Sequence, residues 1–194
     1  MKLGGEYYTE NDLKDAGFRK IGKDIKIHSR SSIYGTENIS LGDHVRVDDF
    51  TIIIASGAVE IGSHVHIANH VYIGGTYGVV LEDCCGVAHG SKIFTASNDY
   101  GGEWLTGPTV PSELTSGPKG QVTVGRHAII GAGSIIFPGC NVGEGSSVGA
   151  MSLVNRTLEP WGLYYGIPAR KVRDRKKDLL AMERKVLEME RMAT

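Results

Sequence analysis

A six-residue step in the aliphatic residues constrains this chain more than any other feature. They fall at Ile21, Ile27 and Ile33, then Leu41, Val47 and Ile53, then Ile61, Ile67 and Ile73, then Leu81, Val87 and Ile93. Each triplet advances by six and six and the next begins eight residues later, so a 20-residue period holds over four turns. After a gap the series resumes at Val124, Ile130, Ile136, Val142, Val148 and Val154, now every six residues. Glycine follows the aliphatic at Gly22, Gly42 and Gly62, and again at Gly125, Gly131, Gly143 and Gly149. An α-helix cannot use this pattern, because a six-residue step rotates an apolar side chain away from a face of 3.6-residue period. Isolated antiparallel strands would alternate with period two, and an irregular β-sandwich has no reason to keep register for so long. A triangular coil accounts for it. The aliphatic of each flat side points inward, and the small residue beside it permits the corner. Coils stacked at about 4.8 Å join these aliphatics into continuous ladders.

The register also places one long loop. Two extra residues recur at the same corner between 33 and 41, 53 and 61, and 73 and 81, and the interval from Ile93 to Val124 enlarges that corner. The resulting loop, about 95–121, contains Trp104, Pro108, Pro111 and Gly117-Pro118, and a long excursion from a regular scaffold is where function concentrates. Residues 9–16 read as a short helix, N-capped by Thr9, with Asp12 at the capping-box position and Gly17 able to end it. From Asp174 onward, Leu179, Met182, Val186 and Met189 form an apolar stripe at helical spacing, expected to pack on the parent domain or a neighbouring subunit. The expected organisation is an amino-terminal helical segment 1–18, a β-helix domain 19–158 and a carboxy-terminal segment and helix 159–194.

Net charge is −1 at a pI near 6.7, so no global field draws the chain to nucleic acid or anionic lipid. No apolar run reaches the length of a membrane span, and Met1-Lys2-Leu3-Gly4-Gly5 lacks the apolar region of a secretory signal. Cys84, Cys85 and Cys140 are odd in number, and two are adjacent, which points to reduced thiols and a cytoplasmic location.

The hexad register, the loop start Ala96-Ser97-Asn98-Asp99-Tyr100-Gly101-Gly102 and the ending Tyr165-Gly166-Ile167-Pro168-Ala169-Arg170-Lys171-Val172 together resemble the hexapeptide-repeat acetyltransferases. Within that family the branch resembled is that of the galactoside and maltose acetyltransferases and the sugar acetyltransferases of bacterial surface polysaccharides. The resemblance covers nearly the whole chain. It implies an all-β, left-handed parallel β-helix, acetyl-CoA as cosubstrate, and a sugar or nucleotide-linked amino sugar as acceptor. It also implies a homotrimer with active sites between neighbouring prisms, and the long loop reaching over the adjacent subunit. By position Gly131, Ala132, Gly149 and Ala150 match the small residues that admit the pantetheine arm, although corner geometry demands small residues too. Gly166 and Pro168 belong to the closing motif, and Arg170, Lys171 and Arg173 match the basic segment that meets the nucleotide phosphates. Arg175, Lys176 and Lys177 would sit in the first turn of the last helix, where positive charge opposes the macrodipole and a bound polyanion would offset the cost.

One position departs from the family. Galactoside-type enzymes place a histidine at the start of the loop as general base, and Asn98 stands there, followed by Asp99. Asp99 is one candidate to replace that histidine, because a carboxylate can accept a proton from an ammonium or orient an amine. His89 is the other. The 20-residue period puts Asp49, Asn69 and His89 at equivalent places on successive coils, with Asp49 and His89 about 10 Å apart along the axis. That polar ladder, expected near the corner that launches the loop, is a candidate acceptor-pocket lining. Asp48 matches an asparagine that contacts acceptor and thioester in galactoside-type enzymes, and Trp104 is a candidate for stacking on a sugar. Transfer is expected to be direct, in a ternary complex, since neither Cys84 nor Cys85 carries a recognisable base.

Two competing classes share the fold. The γ-class carbonic anhydrases hold zinc through three histidines, and His44, His64 and His127 share one place in their coils. An edge stack of that kind is expected to face solvent, and zinc chemistry gives the basic segment no role, so no resident metal is expected. A non-catalytic repeat protein is the other alternative.

Overall fold

The computed structural model describes residues 4–193. Met1 to Leu3, with which the amino-terminal reading began, and Thr194 lie outside them. The chain winds into a triangular prism whose three faces are parallel sheets. The first face stacks Lys26–Ile27, Arg46–Val47, His66–Ile67, Gly86–Val87, Ile129–Ile130 and Ser147–Val148. The second stacks Ser32–Tyr34, Ile52–Ile54, Tyr72–Gly74, Lys92–Phe94, Ile135–Ile136 and Leu153–Val154. The third stacks Ile39–Leu41, Val59–Ile61, Val79–Leu81 and Val122–Val124.

The hexad aliphatics meet each other across this register. Ile53 pairs with Ile73, Ile73 with Ile93 and Ile93 with Ile136, while Val47, Ile67, Val87 and Ile130 form the equivalent column on the first face. From Ile27 to Val154 every one of them except Ile33 is at most 3 % exposed. Ile21 and Ile33 of the first coil are only partly buried, whereas Ile27 between them is 1 % exposed. A second inward column, two residues earlier on each face, was not read from the sequence. It holds Val45, Val65 and Cys85 on the first face and Ile39, Val59 and Val79 on the third. On the second face it includes Thr51, Ser91 and Ser134, whose hydroxyls donate to the carbonyls of Ala68, Gly131 and Gly149 on the next coil. Each buried hydroxyl therefore keeps a partner.

Helix α1 spans Glu10–Asp15. Thr9 caps it, and the reciprocal Thr9–Asp12 bonds form the expected box. The loop leaves the prism after Phe94 and returns at Val122, closed at its base by an antiparallel bridge between Ala96 and Lys119. After the last coil, Gly162–Gly166 extends the first face and Ala169–Asp174 pairs antiparallel with it, and α2 follows at Leu179–Ala193.

One expectation for this end is corrected. The segment from Asp174 does not begin a helix. Ala169 is buried, and the strand it starts is pinned to Gly162–Gly166, so Arg175, Lys176 and Lys177 lie on the connection before α2. The apolar stripe of α2 is only partly covered within one protomer: Leu179, Met182 and Val186 line the groove against the prism, while Met189 is 70 % exposed. The helix also turns Glu183 and Glu190 toward the prism, onto the edge where His44, His64, Cys84 and His127 stand. The helix covers that edge unevenly: His127 is only 8 % exposed, whereas His64 is half-buried and His44 remains exposed.

Candidate active site

The edge between the first and second faces carries the polar ladder, because Asp49, Asn69 and His89 each follow a buried first-face residue of the register by two positions. The ladder is divided. Asn69 Oδ1 and His89 Nδ1 are directly hydrogen-bonded, which orients the imidazole and leaves Nε2 outward. Asp49 turns away and pairs with Arg30 at 3.0 Å.

Asp48 is the most heavily engaged carboxylate on this side of the prism. Arg46 Nε donates to it at 2.6 Å, His66 Nε2 lies 2.7 Å from its other oxygen, and the Tyr7 hydroxyl donates at 3.3 Å. Burial pushes the Asp48 carboxyl up, but the bonds from His66 and Arg46 outweigh it and leave the group below its ordinary value. It is ionised and already partnered, so it anchors the amino-terminal segment to the first face. Arg46 and His66 were missed, although they share one register position and the same period would have found them.

The loop starts at the opposite edge of the second face. Asn98 and Asp99 are therefore separated from His89 by the width of that face within one protomer, and the expected closeness of ladder and loop corner is not found. Inside the loop, Asp99 accepts the backbone N–H groups of Gly101, Glu103 and Trp104 at 2.8, 2.7 and 3.0 Å. These bonds, led by that from Gly101, hold its carboxyl below the ordinary value. Asn98 Oδ1 accepts the Gly107 N–H at 3.3 Å. Trp104 is 47 % exposed, its backbone tied to Asp99 and its ring available.

Gly131, Ala132, Gly149 and Ala150, matched by position to a pantetheine-admitting stretch, lie where the ladder edge continues into the last coils. A Cβ on Gly131 would meet the backbone of Val148, Gly149 and Ala150 at 2.5–2.6 Å, and one on Gly149 would meet the Tyr165 ring. Gly131 is thus required by the stacking of this chain on itself, Gly149 is opposed only by the exposed Tyr165 side chain, and Ala132 and Ala150 retain accessible surface. Gly166 and Pro168 form the turn between the two terminal strands, and Arg170 and Arg173 stand exposed on the second of them. Lys171 is paired with Asp174 at 2.6 Å. Arg175 is drawn inward, where one guanidinium nitrogen donates to the carbonyls of His127, Gly145 and Ser146 at 2.8, 3.0 and 3.3 Å.

Comparison with known proteins fixes the class these features define: the chain belongs to the hexapeptide-repeat acyltransferases. No protein-family model matches it. It is 38 % identical to the dTDP-4-amino-4,6-dideoxy-D-glucose acyltransferase of Escherichia coli, over 91 % of this chain and 93 % of the relative. The crystal structure of AntD, an N-acyltransferase from Bacillus cereus, in complex with dTDP and 3-hydroxybutyryl-CoA superposes with a TM-score of 0.93 at 38 % identity, covering 96 % of this chain and 99 % of AntD. A variant of AntD in complex with dTDP-4-amino-4,6-dideoxyglucose and coenzyme A gives the same score, covering 97 % of this chain and 100 % of AntD. This relationship removes the carbonic anhydrase and the non-catalytic alternatives.

Proposed function

We propose that the protein transfers an acyl group, acetyl in the first instance, from acyl-CoA to the 4-amino group of a dTDP-linked 4-amino-4,6-dideoxy sugar. The observation that carries this reading is Asn98-Asp99 at the loop start. Asp99 is a partly exposed carboxylate kept ionised by three backbone donors, suited to hold an amine and ill suited to deprotonate a hydroxyl. In this scheme the sugar amine donates a hydrogen bond to Asp99 and directs its lone pair at the thioester carbonyl. The C–N bond forms, a backbone N–H holds the oxyanion, the C–S bond breaks, and the amine proton leaves with the departing thiolate. His89, fixed by Asn69, faces the acceptor and relays that proton, and Trp104 stacks on the sugar or base.

Ladder and loop stand at opposite edges of one face, which supports a homotrimer in which the loop of one protomer closes over the ladder of the next. The coenzyme then lies in the same inter-subunit groove, passing Ala132 and Ala150 toward Arg170 and Arg173. The product is an amide sugar for a surface polysaccharide. A cytoplasmic site of action fits the three free thiols. Among the described residues no helix is long and apolar enough to cross a membrane.

The test is thiol release from acetyl-CoA and 3-hydroxybutyryl-CoA against dTDP-4-amino-4,6-dideoxyglucose, free amino sugars and plain glycosides. Turnover confined to hydroxyl acceptors would sink the amine reading.

A further inference from the structure

One residue beyond the polar ladder, the corner between the first and second faces carries a stack of flat side chains that is interrupted. Its left-handed position is held on successive coils by Phe50, His70, Gly90, Gly133 and Met151, with φ between 56° and 70°. The Arg30 guanidinium lies 4.9 Å from the centre of the Phe50 ring, and the Phe50 and His70 rings lie 5.0 Å apart with planes at 14°. The coil rise of about 4.8 Å sets that spacing. At Gly90 the stack breaks off: a Cβ there would meet nothing within 4 Å. One coil further on the corner is covered again, because the Met151 sulfur lies against Gly133. From the His70 level to the Gly133 level is two coil rises, about 9.6 Å. One aromatic ring at the Gly90 level would lie about 4.8 Å from either boundary, an ordinary stacking distance, and would meet a thioether on its far side.

The long loop supplies a ring of that kind. Tyr100, beside Asp99 at the loop start, is 87 % exposed. Two features of the chain match it to the slot. The loop leaves the prism after Phe94, on the same coil as Gly90. Rotation about a three-fold axis running along the prisms leaves height unchanged, so the loop of one protomer reaches the next at the Gly90 level. Asp99 also precedes Tyr100 just as His89 precedes Gly90. Seating Tyr100 in the slot therefore delivers Asp99 to the coil that carries His89, a meeting that the width of the second face prevents within one protomer.

We propose that Tyr100 of one protomer inserts between His70 and Met151 over Gly90 of the next, and so sets Asp99 opposite His89. Tyr100 is a positioning residue, acting through Asp99 and touching neither sugar nor thioester. This inference rests on the homotrimer and the Asp99–His89 chemistry set out under the proposed function. A pyrimidine base of the acceptor has the same flat shape, and the test distinguishes it.

The experiment is a double-substitution cycle on the full chain, with the oligomeric state measured first by light scattering. A trimer is expected; a monomer overturns the subunit arrangement and this inference together, whereas every later outcome bears on the inference alone. Tyr100→Ala removes the ring, and Gly90→Asn fills the slot with a side chain that tolerates a left-handed backbone. Each should lower kcat on the amino sugar about tenfold, with KM for acyl-CoA and the thermal midpoint nearly unchanged. Together they should do no more harm than either alone, and Tyr100→Phe should restore the rate that Tyr100→Ala loses. Coexpressing the two single variants should return about a quarter of the wild-type rate, since each mixed trimer holds one interface with both ring and slot intact. Additive losses, or no recovery on coexpression, overturn the proposal. Additive losses with dTDP binding weakened by Gly90→Asn alone would give the slot to the nucleotide base and overturn it equally.

Discussion

Replacing Gly131 by alanine separates two roles that small residues near the last coils can play. If Gly131 is small to admit a coenzyme arm, the added methyl obstructs the ligand and leaves the fold intact. The structure says otherwise, because the new Cβ would stand 2.5 Å from the amide nitrogen of Ala150 and 2.6 Å from the carbonyl carbon of Gly149. Ordinary contact is about 3.5 Å, so the coils would have to part locally by about 1 Å. No flexible side chain can yield, since the opposing atoms are backbone. Parting the coils strains the hydrogen bonds from Gly131 N to Val148 O and from Met151 N to Ala132 O, both 2.8 Å. Overpacking of this kind costs about 1–3 kcal/mol, and a weakened buried hydrogen bond adds about 1 kcal/mol, so we expect a loss of about 3 kcal/mol. For a chain of this size that lowers the thermal midpoint by about 6–12 °C. The assay is thermal unfolding at fixed protomer concentration, with and without acyl-CoA, beside steady-state kinetics. A midpoint within about 2 °C of wild type, combined with a large rise in KM for acyl-CoA, would refute the packing argument and return Gly131 to the ligand.

Three further outcomes are expected. Asp99→Asn should lower kcat/KM on the amino sugar by about 10²-fold with little change in thermal midpoint, the loop being exposed. The folded pKa of Asp99 is depressed, so its loop hydrogen bonds are intact above the ordinary carboxylate range and fail only as pH falls through the lowered value. The acid limb of the wild-type pH profile should therefore follow protonation of the acceptor amine. Arg175→Ala should cost about 2–3 kcal/mol by stranding three carbonyls around a lost cation while leaving KM for acyl-CoA nearly unchanged, and Arg170→Ala should do the reverse. Cys84, pushed up to about 11 by burial, then by Glu183 beside it, should have about one thiolate in a thousand at pH 8. It should react far more slowly with iodoacetamide than a free thiol does, and Glu183→Gln should quicken the reaction.

One of the two inward columns on each face of the prism was legible. Each hexad aliphatic from Leu41 onward is buried, and the capping box at Thr9 and Asp12 forms on the exposed amino-terminal helix, because both patterns are local to the structure they make. The second inward column escaped notice since its members vary from Val65 to Cys85 to Ser146, and only position unites them. The site was legible by type and less so by arrangement. Arg175 reads as one more cation in a basic run, yet its reach to three carbonyls makes it a clamp. Asp48 reads as an acceptor contact, and only the structure shows Arg46, His66 and Tyr7 gathered on it.

The sequence by itself determined the prism, its long loop and the departure at Asn98-Asp99, since a six-residue period states which side chain points inward without reference to anything distant. Only the tertiary structure decided that the loop and the His89 ladder stand on opposite edges, and that α2 lays Glu183 and Glu190 on the histidine corner. Those outcomes depend on how a 20-residue coil and a 3.6-residue helix come into register with each other, and neither period carries that information alone.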